Sequence, residues 1–508
     1  MNTREWIYRG GAACAPFNMG ESVARQLLAR RGMEDPSEQE EFLSAKPRLA
    51  HDPFLMKDMD AAAERILRAM REEEPLCLYG DYDADGVTAV SLLLEILEKL
   101  GPRPDFYIPS RFDEGYGLNM QALESIRDRG ARLVVTVDCG SVSRREVEYA
   151  QSLGLEVIVT DHHNPGEQGV DCLLVNPKQK DCAYPFKELC GCGVAFKLAE
   201  ALRRKTEERP LPAAGGRPGR VVRQDLARVL DLAAIATIGD IVSLTGENRT
   251  IAKYGLAELN RGRRPGLAAL AEAAGLKAGA VSAEDVAYII VPHLNAAGRM
   301  GSADPCVALL TSRDREECRR LAALLAGNNR ERKRVQEETL QRAEALAEAE
   351  EEEWFLLLDG GREFHEGIAG IVAGKLKDLY CRPVVLLTDS EDGLVKGTGR
   401  SVEGIDLYAL IAPYKGLLEK FGGHQGACGF SLKRENLSAL REGLQRDARR
   451  LRQEEPGLFR SSLPVEGDLL PEQVDGELAA ELEALEPFGR DNPRPVFALR
   501  GVKVKELR

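Results

Sequence analysis

The chain has 508 residues and a net charge of −13, with 44% hydrophobic and 30% charged residues. That length exceeds one hydrophobic core and predicts about three domains of a folded, water-soluble protein. No apolar run approaches the ~18–20 residues of a membrane span, and the N-terminus lacks the apolar core of a signal peptide. Eleven scattered cysteines fit reduced thiols better than a disulfide framework. These features predict a cytoplasmic protein that does not bind membranes.

Charge is unevenly distributed along the chain. Lys and Arg outnumber Asp and Glu in residues 200–264 and 313–334, whereas the charged positions of 344–353 are acidic. Such tracts are most often solvated helix surfaces, although two basic tracts could also bind a polyanion at one face.

From Met59 onward, apolar strands alternate with amphipathic helices. The predicted strands are PLCLYG (75–80), DFYIPS (105–110), ARLVVTVDCG (131–140) and LEVIVTDHH (155–163). This alternation predicts βαβ units and a parallel sheet. In such sheets, ligands bind at the carboxyl ends of the strands.

A second alternating region begins at Trp354, with the strand patterns WFLLLD, PVVLLTD and VKGTGRS followed by FGGHQGACGF. Residues 313–353 predict one or two long helices, and the Arg-, Pro- and Gly-rich segment 209–220 predicts a mobile loop. We therefore predict an α/β protein with this organisation: an N-terminal arm (1–50), a parallel-sheet domain (51–325), a connecting helix (326–353), a smaller α/β domain (354–452) and a partial β segment (453–508) that stops before a β domain could close.

Three carboxylates at alternate positions, Asp81, Asp83 and Asp85, follow the first apolar strand in GDYDADG. They repel one another unless a cation lies between them. The spacing is similar to that of a calcium-binding EF-hand, but Leu92 stands where that motif needs Glu. This motif alone is equally compatible with a metal site and with a capped turn before a helix.

Further apolar segments also end in Asp or His. Asp138 ends LVVTVD, Asp161 with His162 and His163 ends LEVIVTDHH, and Asp240 ends LAAIATIGD. A buried carboxylate is costly without a partner, and paired imidazoles beside a carboxylate suit a metal such as manganese. Helix capping explains one such Asp but not the recurrence, so we predict a metal centre at one edge of the sheet.

Several arginines lie where phosphate could bind. Arg111, Arg299 and Arg400, the last followed by Ser401, lie beside glycine-rich segments, and a guanidinium can hold phosphate through two hydrogen bonds. The turn CGCGVAFK (190–197) is a weaker candidate for an anion-binding helix N-terminus.

Histidine is rare in this chain, with six residues. His293, His365 and His424 lie beside glycine or other small residues, where the backbone can approach a ligand closely. Each one alone is more typical of a structural histidine, but together they suggest a site.

In this order, GDYDADG, VTVDCG, TDHH and ATIGDIV resemble the successive motifs of the DHH phosphoesterase superfamily, and GGHQGACGF resembles the glycine-rich motif of its DHH-associated domain. The segments PHLNAAGRM, SRFDEGYGLN, KGTGRS and LEPFGRDNPRPVF narrow the resemblance to the RecJ family of single-stranded-DNA exonucleases. The resemblance extends over about residues 50–508. It implies a DHH domain and a smaller DHH-associated domain joined by a long helix, an active site in the cleft between them, and an OB-fold segment that is incomplete here.

The resemblance also implies an activity, the hydrolysis of single-stranded DNA from the 5′ end to mononucleotides in DNA repair and recombination, with two Mn²⁺ or Mg²⁺ ions. Metal ligands are then expected at Asp81, Asp83, Asp85, Asp138, His162 and Asp240, with Asp138 as the bridge. The implied catalytic residues are Asp138, His162 and His163. The implied substrate-binding residues are Arg111, Asn295, Arg299, Arg400, Ser401, Gly423 and His424. The expected partner is single-stranded DNA, with a single-strand-binding protein and a helicase as further candidates.

Two alternatives remain. A small-substrate phosphoesterase of the same superfamily, either a short-oligonucleotide nuclease or a manganese pyrophosphatase, would be shorter and would carry His where this chain has Tyr79. A non-catalytic nucleic-acid-binding scaffold with the same fold would be expected to have lost metal ligands, and none of them is missing here.

Overall fold

The computed structural model describes residues 5–9, 16–18, 20–111, 114–115, 117–166, 168–214, 217–350, 352–390 and 393–503. The chain forms two compact units. The large unit contains Pro16–Asn329 and Leu469–Pro495, with a short piece from Leu499 onward. The small unit contains Arg330–Asp468 and Val496–Ala498, together with the N-terminal strand.

The N-terminal fifty residues contain two packed helices as well as a strand. The elements are β1 (Glu5–Tyr8), α1 (Val23–Arg30) and α2 (Pro36–Leu43). Side-chain oxygens of Ser22 and Asp35 cap the two helices, and Leu27, Leu28 and Phe42 are buried. The sequence predicted only a polar arm here, because eight-residue helices show too little periodicity to stand out among polar residues.

The core of the large unit is a five-stranded parallel sheet in the order β3-β2-β4-β5-β6. The predicted alternation of strands and helices is therefore confirmed. All residues of β2 and β4 are buried, as expected for strands covered by helices on both faces. The elements are α3 (Met59–Arg71), β2 (Leu76–Tyr79), α4 (Ala84–Leu97), β3 (Asp105–Tyr107), α5 (Met120–Asp128), β4 (Leu133–Val137), α6 (Arg144–Ser152), β5 (Glu156–Thr160), β6 (Leu173–Val175) and α7 (Gly191–Glu208).

A helical layer completes the large unit. Its elements are β7 (Leu211–Ala214), β8 (Arg217–Gly219), α8 (Arg223–Gly239), α9 (Gly246–Asn260), α10 (Pro265–Ala273), α11 (Ala283–Asp285), α12 (Val291–Met300) and α13 (Asp304–Thr311). The π-helical segment Val286–Ile290 joins α11 to α12. β7 and β8 form an antiparallel hairpin where the sequence predicted a loop, anchored by the buried Leu211; Gly215 and Gly216 lie outside the described residues.

One helix, α14 (Arg315–Ala349), continues for 35 residues and contributes to both units. It confirms the predicted long helix over most of 313–353. Within the described ranges, none of the helices combines the length and apolar character needed to cross a bilayer.

The small unit is built on a five-stranded mixed sheet in the order β12-β13-β11-β10-β9. Only β9 and β10 are parallel; the other neighbours in this sheet are antiparallel. Its elements are β9 (Leu356–Asp359), α15 (Glu366–Tyr380), β10 (Val384–Asp389), β11 (Val395–Arg400), α16 (Leu407–Ile411), β12 (Leu418–His424), β13 (Ala427–Leu432) and α17 (Leu437–Glu454).

The C-terminal segment contributes to both units. β14 (Ser462–Val465) pairs with β1, and β15 (Gly467–Asp468) pairs with the later strand β16 (Phe497–Ala498) in the small unit. Between them, α18 (Gly476–Ala484) belongs to the large unit. The buried Arg249 of α9 fixes the end of α18 by donating to the carbonyls of Ala484, Leu485 and Glu486.

Candidate metal centre

The carboxyl ends of three neighbouring strands meet at one edge of the parallel sheet. Asp81 lies just beyond β2, Asp138 follows β4, and Asp161 with His162 follows β5. Parallel strands bring the residues that follow them together, and the expected convergence is found. Asp240, the C-cap residue of α8, joins them from the helical layer.

The ring of His162 lies among three carboxylates. Its Nε2 atom is 3.1 Å from Asp138 Oδ1, 3.6 Å from Asp240 Oδ2 and 3.7 Å from Asp85 Oδ2. Neither ring nitrogen of His162 makes a hydrogen bond with a residue in the described part of the chain, although the side chain is buried. Buried polar atoms are normally satisfied, so this donor set fits a metal ion that the imidazole and carboxylates would share.

Potential ligand atoms form three overlapping sets. Three sets each bring one ligand atom per residue within 4.8 Å of one another: Asp81, Asp83 and Asp138; Asp85, His162 and Asp240; and Asp138, Asp161, His162 and His163. Asp138 is shared by the first and third sets, and His162 by the second and third. This sharing fits two neighbouring cations with Asp138 between them.

Burial of so many carboxylates changes their protonation. Burial, reinforced by neighbouring carboxylates, raises the pKa of Asp81 and Asp138 and raises the pKa of Asp240 to about 8. Burial lowers the pKa of His162 to about 4, so the ring is neutral and can act as a ligand near pH 7. A divalent cation would remove the repulsion that contributes to the raised carboxyl pKa values.

The backbone holds Asp138 in an uncommon conformation. Its φ is +62°, in the left-handed region that residues other than glycine rarely adopt. Gly191 at the start of α7 makes room for it, because a β-carbon there would come within 2.5 Å of Asp138 Cβ and 2.7 Å of its Oδ1. Strain of this kind persists only where the surrounding structure enforces it, and it is concentrated at functional sites.

The N-terminus of α7 binds a carboxylate of the chain itself. The amides of Gly191 and Cys192 donate to the two oxygens of Asp85 at 2.7 Å each. The expectation that the CGCGVAFK turn binds a ligand anion is therefore wrong, because Asp85 occupies that position. These two hydrogen bonds orient Asp85 toward His162.

Asp83 serves both roles that the sequence allowed. Its Oδ1 atom caps α4 by accepting from the amides of Asp85 and Gly86 at 2.9 and 3.1 Å. The same carboxylate also belongs to the ligand set of Asp81 and Asp138. The capped turn thus presents the carboxylates in a fixed arrangement. The two interpretations of this motif, a metal site and a helix cap, are therefore compatible.

Helix α12 supports this turn from outside. Asn295 Oδ1 accepts a hydrogen bond from the amide of Ala84 at 2.7 Å, so a residue expected to bind substrate holds the aspartate-rich turn in place. Gly298 lies against the carbonyl of Tyr82, and a β-carbon there would come within 2.7 Å of that oxygen. The PHLNAAGRM segment therefore packs closely against the turn that carries Asp81, Asp83 and Asp85.

Two of the predicted phosphate-binding arginines flank the turn. The Cζ atom of Arg111 lies 4.8 Å from the centre of the Tyr82 ring, and its charge opposes the raised pKa of Asp81. Burial raises the pKa of Tyr82 to about 12, an effect that the charges of Arg111 and Arg299 oppose. Arg111 thus lies close to the carboxylate cluster, and Arg299 carries its charge near Tyr82.

Asp161 orients the turn that carries the histidines. Its Oδ1 accepts from the amides of His162 and His163 at 2.7 and 3.1 Å and lies 2.8 Å from His163 Nδ1, while Oδ2 accepts from the Ser141 amide at 2.9 Å. Burial alone would raise the pKa of Asp161, but the hydrogen bond from His163 and the charges of both imidazoles lower it. The sequence predicted these three residues as one ligand set, and they do share a set of potential ligand atoms; Asp161 also orients the turn.

In the small unit, the two predicted substrate loops are neighbours. Arg400 ends β11 opposite Ala427, and His424 ends β12 opposite the same residue. His424 is exposed and accepts from a backbone amide of its own turn at 3.2 Å, whereas Ser401 is buried. Arg400, Ser401, Gly423 and His424 therefore share one end of this sheet.

Two other histidines have local structural roles. His293 Nδ1 lies 2.6 Å from the carbonyl of Ile289 one turn earlier, and His365 Nδ1 accepts from an amide in the first turn of α15. In the described residues, only His162 and His163 belong to a metal-ligand set. His293 and His365 thus lie outside the metal-ligand sets, and the expectation that the scattered histidines mark one site stays a prediction for them.

Sequence reasoning missed the hydrogen-bond network that holds the segment following Arg111. Glu114 Oε1 accepts from the Tyr107 hydroxyl at 2.8 Å and from Asn119 Nδ2 at 3.0 Å. Tyr79 donates its hydroxyl to the carbonyl of Gly117 in the same loop at 2.8 Å. The sequence feature that could have indicated this network is Glu114, a charged residue within a glycine-rich loop.

Models of known protein families match three parts of this chain. The chain matches the DHH family N-terminal domain over residues 75–218, the DHHA1 domain over 354–449 and the RecJ OB domain over 465–508. The fold and the aspartate–histidine centre thus define the class, a DHH-type α/β protein with a DHHA1 domain, as the sequence motifs predicted.

Relatives define the family more closely. The single-stranded-DNA-specific exonuclease RecJ of Bacillus subtilis (strain 168) is 40% identical over 491 residues, which are 96% of this chain and 59% of the relative. RecJ of Escherichia coli (strain K12) is 35% identical over 94% of this chain and 82% of its own length. The crystal structure of RecJ from Thermus thermophilus with Mn²⁺ has a TM-score of 0.78 and 32% identity, covering 94% of this chain and 65% of that one. The chain belongs to the RecJ family of single-stranded-DNA-specific exonucleases.

Proposed function

We propose that this chain is a metal-dependent exonuclease that degrades single-stranded DNA from the 5′ end to mononucleotides. The observation that carries the proposal is the position of Asp138, which is shared between the Asp81–Asp83 set and the His162 set. Two adjacent cation positions can stabilise both the attacking and the leaving oxygen of a phosphodiester. Relatives named as single-stranded-DNA-specific exonucleases, which match more than nine tenths of the chain, support the substrate.

The ligands for two Mn²⁺ or Mg²⁺ ions are Asp81, Asp83, Asp85, Asp138, His162 and Asp240 in this proposal. Such ions, when bound, polarise the phosphate and lower the pKa of water so that it can attack. Carboxylates suit both ions, and the imidazole adds a donor that favours Mn²⁺. RecJ structures from Thermus thermophilus with Mn²⁺ and with Mg²⁺ support this choice.

The chain's own residues orient the substrate. Arg111 and Arg299, at the edge of the centre beside Tyr82, hold phosphate oxygens through charge-assisted hydrogen bonds. The amide of Gly191 holds the ligand Asp85, and Asn295 holds the aspartate-rich turn through the amide of Ala84, so little reorganisation is needed when the phosphate binds. In the small unit, Arg400, Ser401, Gly423 and His424 bind further phosphates of the strand.

His163 is the candidate proton donor. Its side chain is 45% exposed. Burial alone would lower its pKa, but the hydrogen bond to Asp161 and that residue's charge raise it. His163 can therefore carry a proton near pH 7 and transfer it to the leaving oxygen.

The cellular role follows from the substrate. An enzyme that removes single strands from a 5′ end would act in DNA repair and recombination in the cytoplasm. Single-strand-binding protein and a strand-separating helicase are the expected partners, because one covers and the other produces single-stranded DNA.

A digestion assay tests the proposal. Single strands and blunt duplexes, labelled at the 5′ or the 3′ end, are incubated with the chain with and without Mn²⁺ or Mg²⁺. We expect metal-dependent release of mononucleotides from single strands, with the 5′ label released first. Early loss of the 3′ label, or equal digestion of duplex, would contradict the proposal; Asp138→Asn is the control for contaminating nuclease.

A further inference from the structure

A groove of about 510 Å³ opens in the large unit beside the candidate metal centre. Its walls come from the end of α8 and the following loop, from the π-helical segment Val286–Ile290, and from the loop that follows α18. Gly239 and Ile241, the two neighbours of the candidate ligand Asp240, both line it. The groove therefore lies next to Asp240.

The groove presents apolar and aromatic side chains to solvent. Tyr288 is 75% exposed and Ile241 is 66% exposed, and Phe488 also lines the groove. Exposed apolar side chains that share one groove are typical of a binding surface. The volume corresponds to a small organic ligand or one to two nucleotides.

The backbone at the groove is held in unusual conformations. Ile241 has a φ of +56°, which is rare for a β-branched residue. Arg490 stabilises this turn, because its carbonyl accepts from the Leu244 amide at 2.9 Å and its guanidinium lies 3.4 Å from the Ile241 carbonyl. Tyr288 lies on a π-helical segment, a feature frequent at functional sites.

Positively and negatively charged side chains both line the groove. Arg494 pairs with Glu284 at 2.9 Å and lies 5.5 Å from the centre of the Phe488 ring, while Arg490 and Glu486 also line the walls. A groove of this composition attracts a ligand mainly by stacking and apolar contact. Bases of single-stranded DNA stack on aromatic side chains in this way, largely independent of sequence.

We propose that this groove binds the bases of the substrate strand on the 3′ side of the scissile phosphate, with Tyr288 and Phe488 as stacking surfaces. The inference rests on the proposed exonuclease function. Arg111 lies beside Asp81, whereas the groove adjoins Asp240. If Arg111 holds the 5′-terminal phosphate, the rest of the strand leaves past Asp240 into the groove.

Binding measurements test the groove separately from catalysis. In an Asp138→Asn background with Mn²⁺, Tyr288→Ala and Phe488→Ala should each weaken binding of a strand of about twelve nucleotides by roughly five- to a hundredfold. Binding of a 5′-mononucleotide, which has no base on the 3′ side of a phosphodiester, should not change, and the weakening should be nearly the same at low and high salt. Tyr288→Phe should restore binding, and Tyr254→Ala, at an exposed tyrosine of α9, is the matched control.

Photo-crosslinking gives a second, direct readout. A strand with 5-iodouracil at successive positions should crosslink to Tyr288 or Phe488 only from positions on the 3′ side of the first phosphodiester. Unchanged long-strand binding in both alanine variants would overturn the inference, and so would equal loss of 5′-mononucleotide binding or crosslinks confined to the 5′ nucleotide. If the unaltered chain cleaves single strands while the groove variants bind like it, the groove inference fails and the proposed function stands; if it neither binds nor cleaves single strands, both fail.

Discussion

Gly191 and Asp138 are in such close contact that a β-carbon on Gly191 would lie 2.5 Å from Asp138 Cβ. Gly191 also donates its amide to Asp85 at 2.7 Å. One glycine at the start of α7 therefore controls two of the candidate metal ligands.

Substitution of this glycine is expected to displace the centre. Gly191→Ala should reduce nuclease activity and Mn²⁺ affinity by about ten- to a hundredfold, as loss of ligand-orienting contacts does elsewhere. Gly193→Ala is the matched control in the same helical turn, because its β-carbon would lie an ordinary 3.4 Å from Leu189. Calorimetric Mn²⁺ titration and single-strand digestion measure the difference; equal behaviour of the two variants would contradict the close-contact argument.

Asp138→Asn should abolish hydrolysis while preserving the fold. Asn tolerates the left-handed backbone conformation that Asp138 adopts, and it removes the charge that a bridging ligand needs. We expect activity to fall by more than about a hundredfold. Because burial and neighbouring carboxylates raise the pKa of Asp138, the metal-free variant should melt at the same or a higher temperature than the unaltered chain at pH 8. Thermal melting followed by circular dichroism, together with the digestion assay, checks both expectations.

Stability of the metal-free protein should depend on pH. The folded pKa of Asp240 is raised from 3.8 to about 8, so its protonated form is favoured in the folded state. The contribution of this group to stability is then fully present below about pH 4 and is lost as the pH rises through about 8. With EDTA, the melting temperature should be lower at pH 8 than at pH 6.

Mn²⁺ should reverse the pH dependence of the protein's stability. Metal binding competes with protons for the same carboxylates, so Mn²⁺ affinity should increase from pH 6 to pH 8. Melting curves with and without Mn²⁺ at the two pH values measure both effects. A metal-free protein that is more stable at pH 8 would contradict the raised pKa of the cluster.

His424→Ala should separate substrate binding from metal binding. The side chain is exposed and accepts one hydrogen bond, from the amide of Gly426, so its loss should change the melting temperature little. If it binds the phosphates of the strand, KM for single strands should rise or turnover should slow, while Mn²⁺ affinity stays unchanged. A lower melting temperature with unaltered kinetics would show that His424 only caps its turn.

The sequence by itself determined the parallel sheet and the residues at its carboxyl edge. Alternation of apolar strands with helices is a local pattern, and parallel strands bring the residues that follow them to one edge. Asp81, Asp138 and His162 could therefore be placed together without coordinates. The long helix and the α/β character of the small unit were predicted from local periodicity in the same way.

Only the tertiary structure decided how these residues are held. Asp85 binds the amide of Gly191, 106 residues away, and Ala84 binds Asn295, 211 residues away. The groove brings Tyr288 together with Phe488 of the C-terminal segment. No local pattern encodes such contacts, because they depend on how distant helices and loops pack around the sheet. Most of the candidate ligands could thus be identified from the residues that follow the strands, whereas the position of Asp240 at the end of α8 and the orientation of all the ligands depend on the complete packed unit.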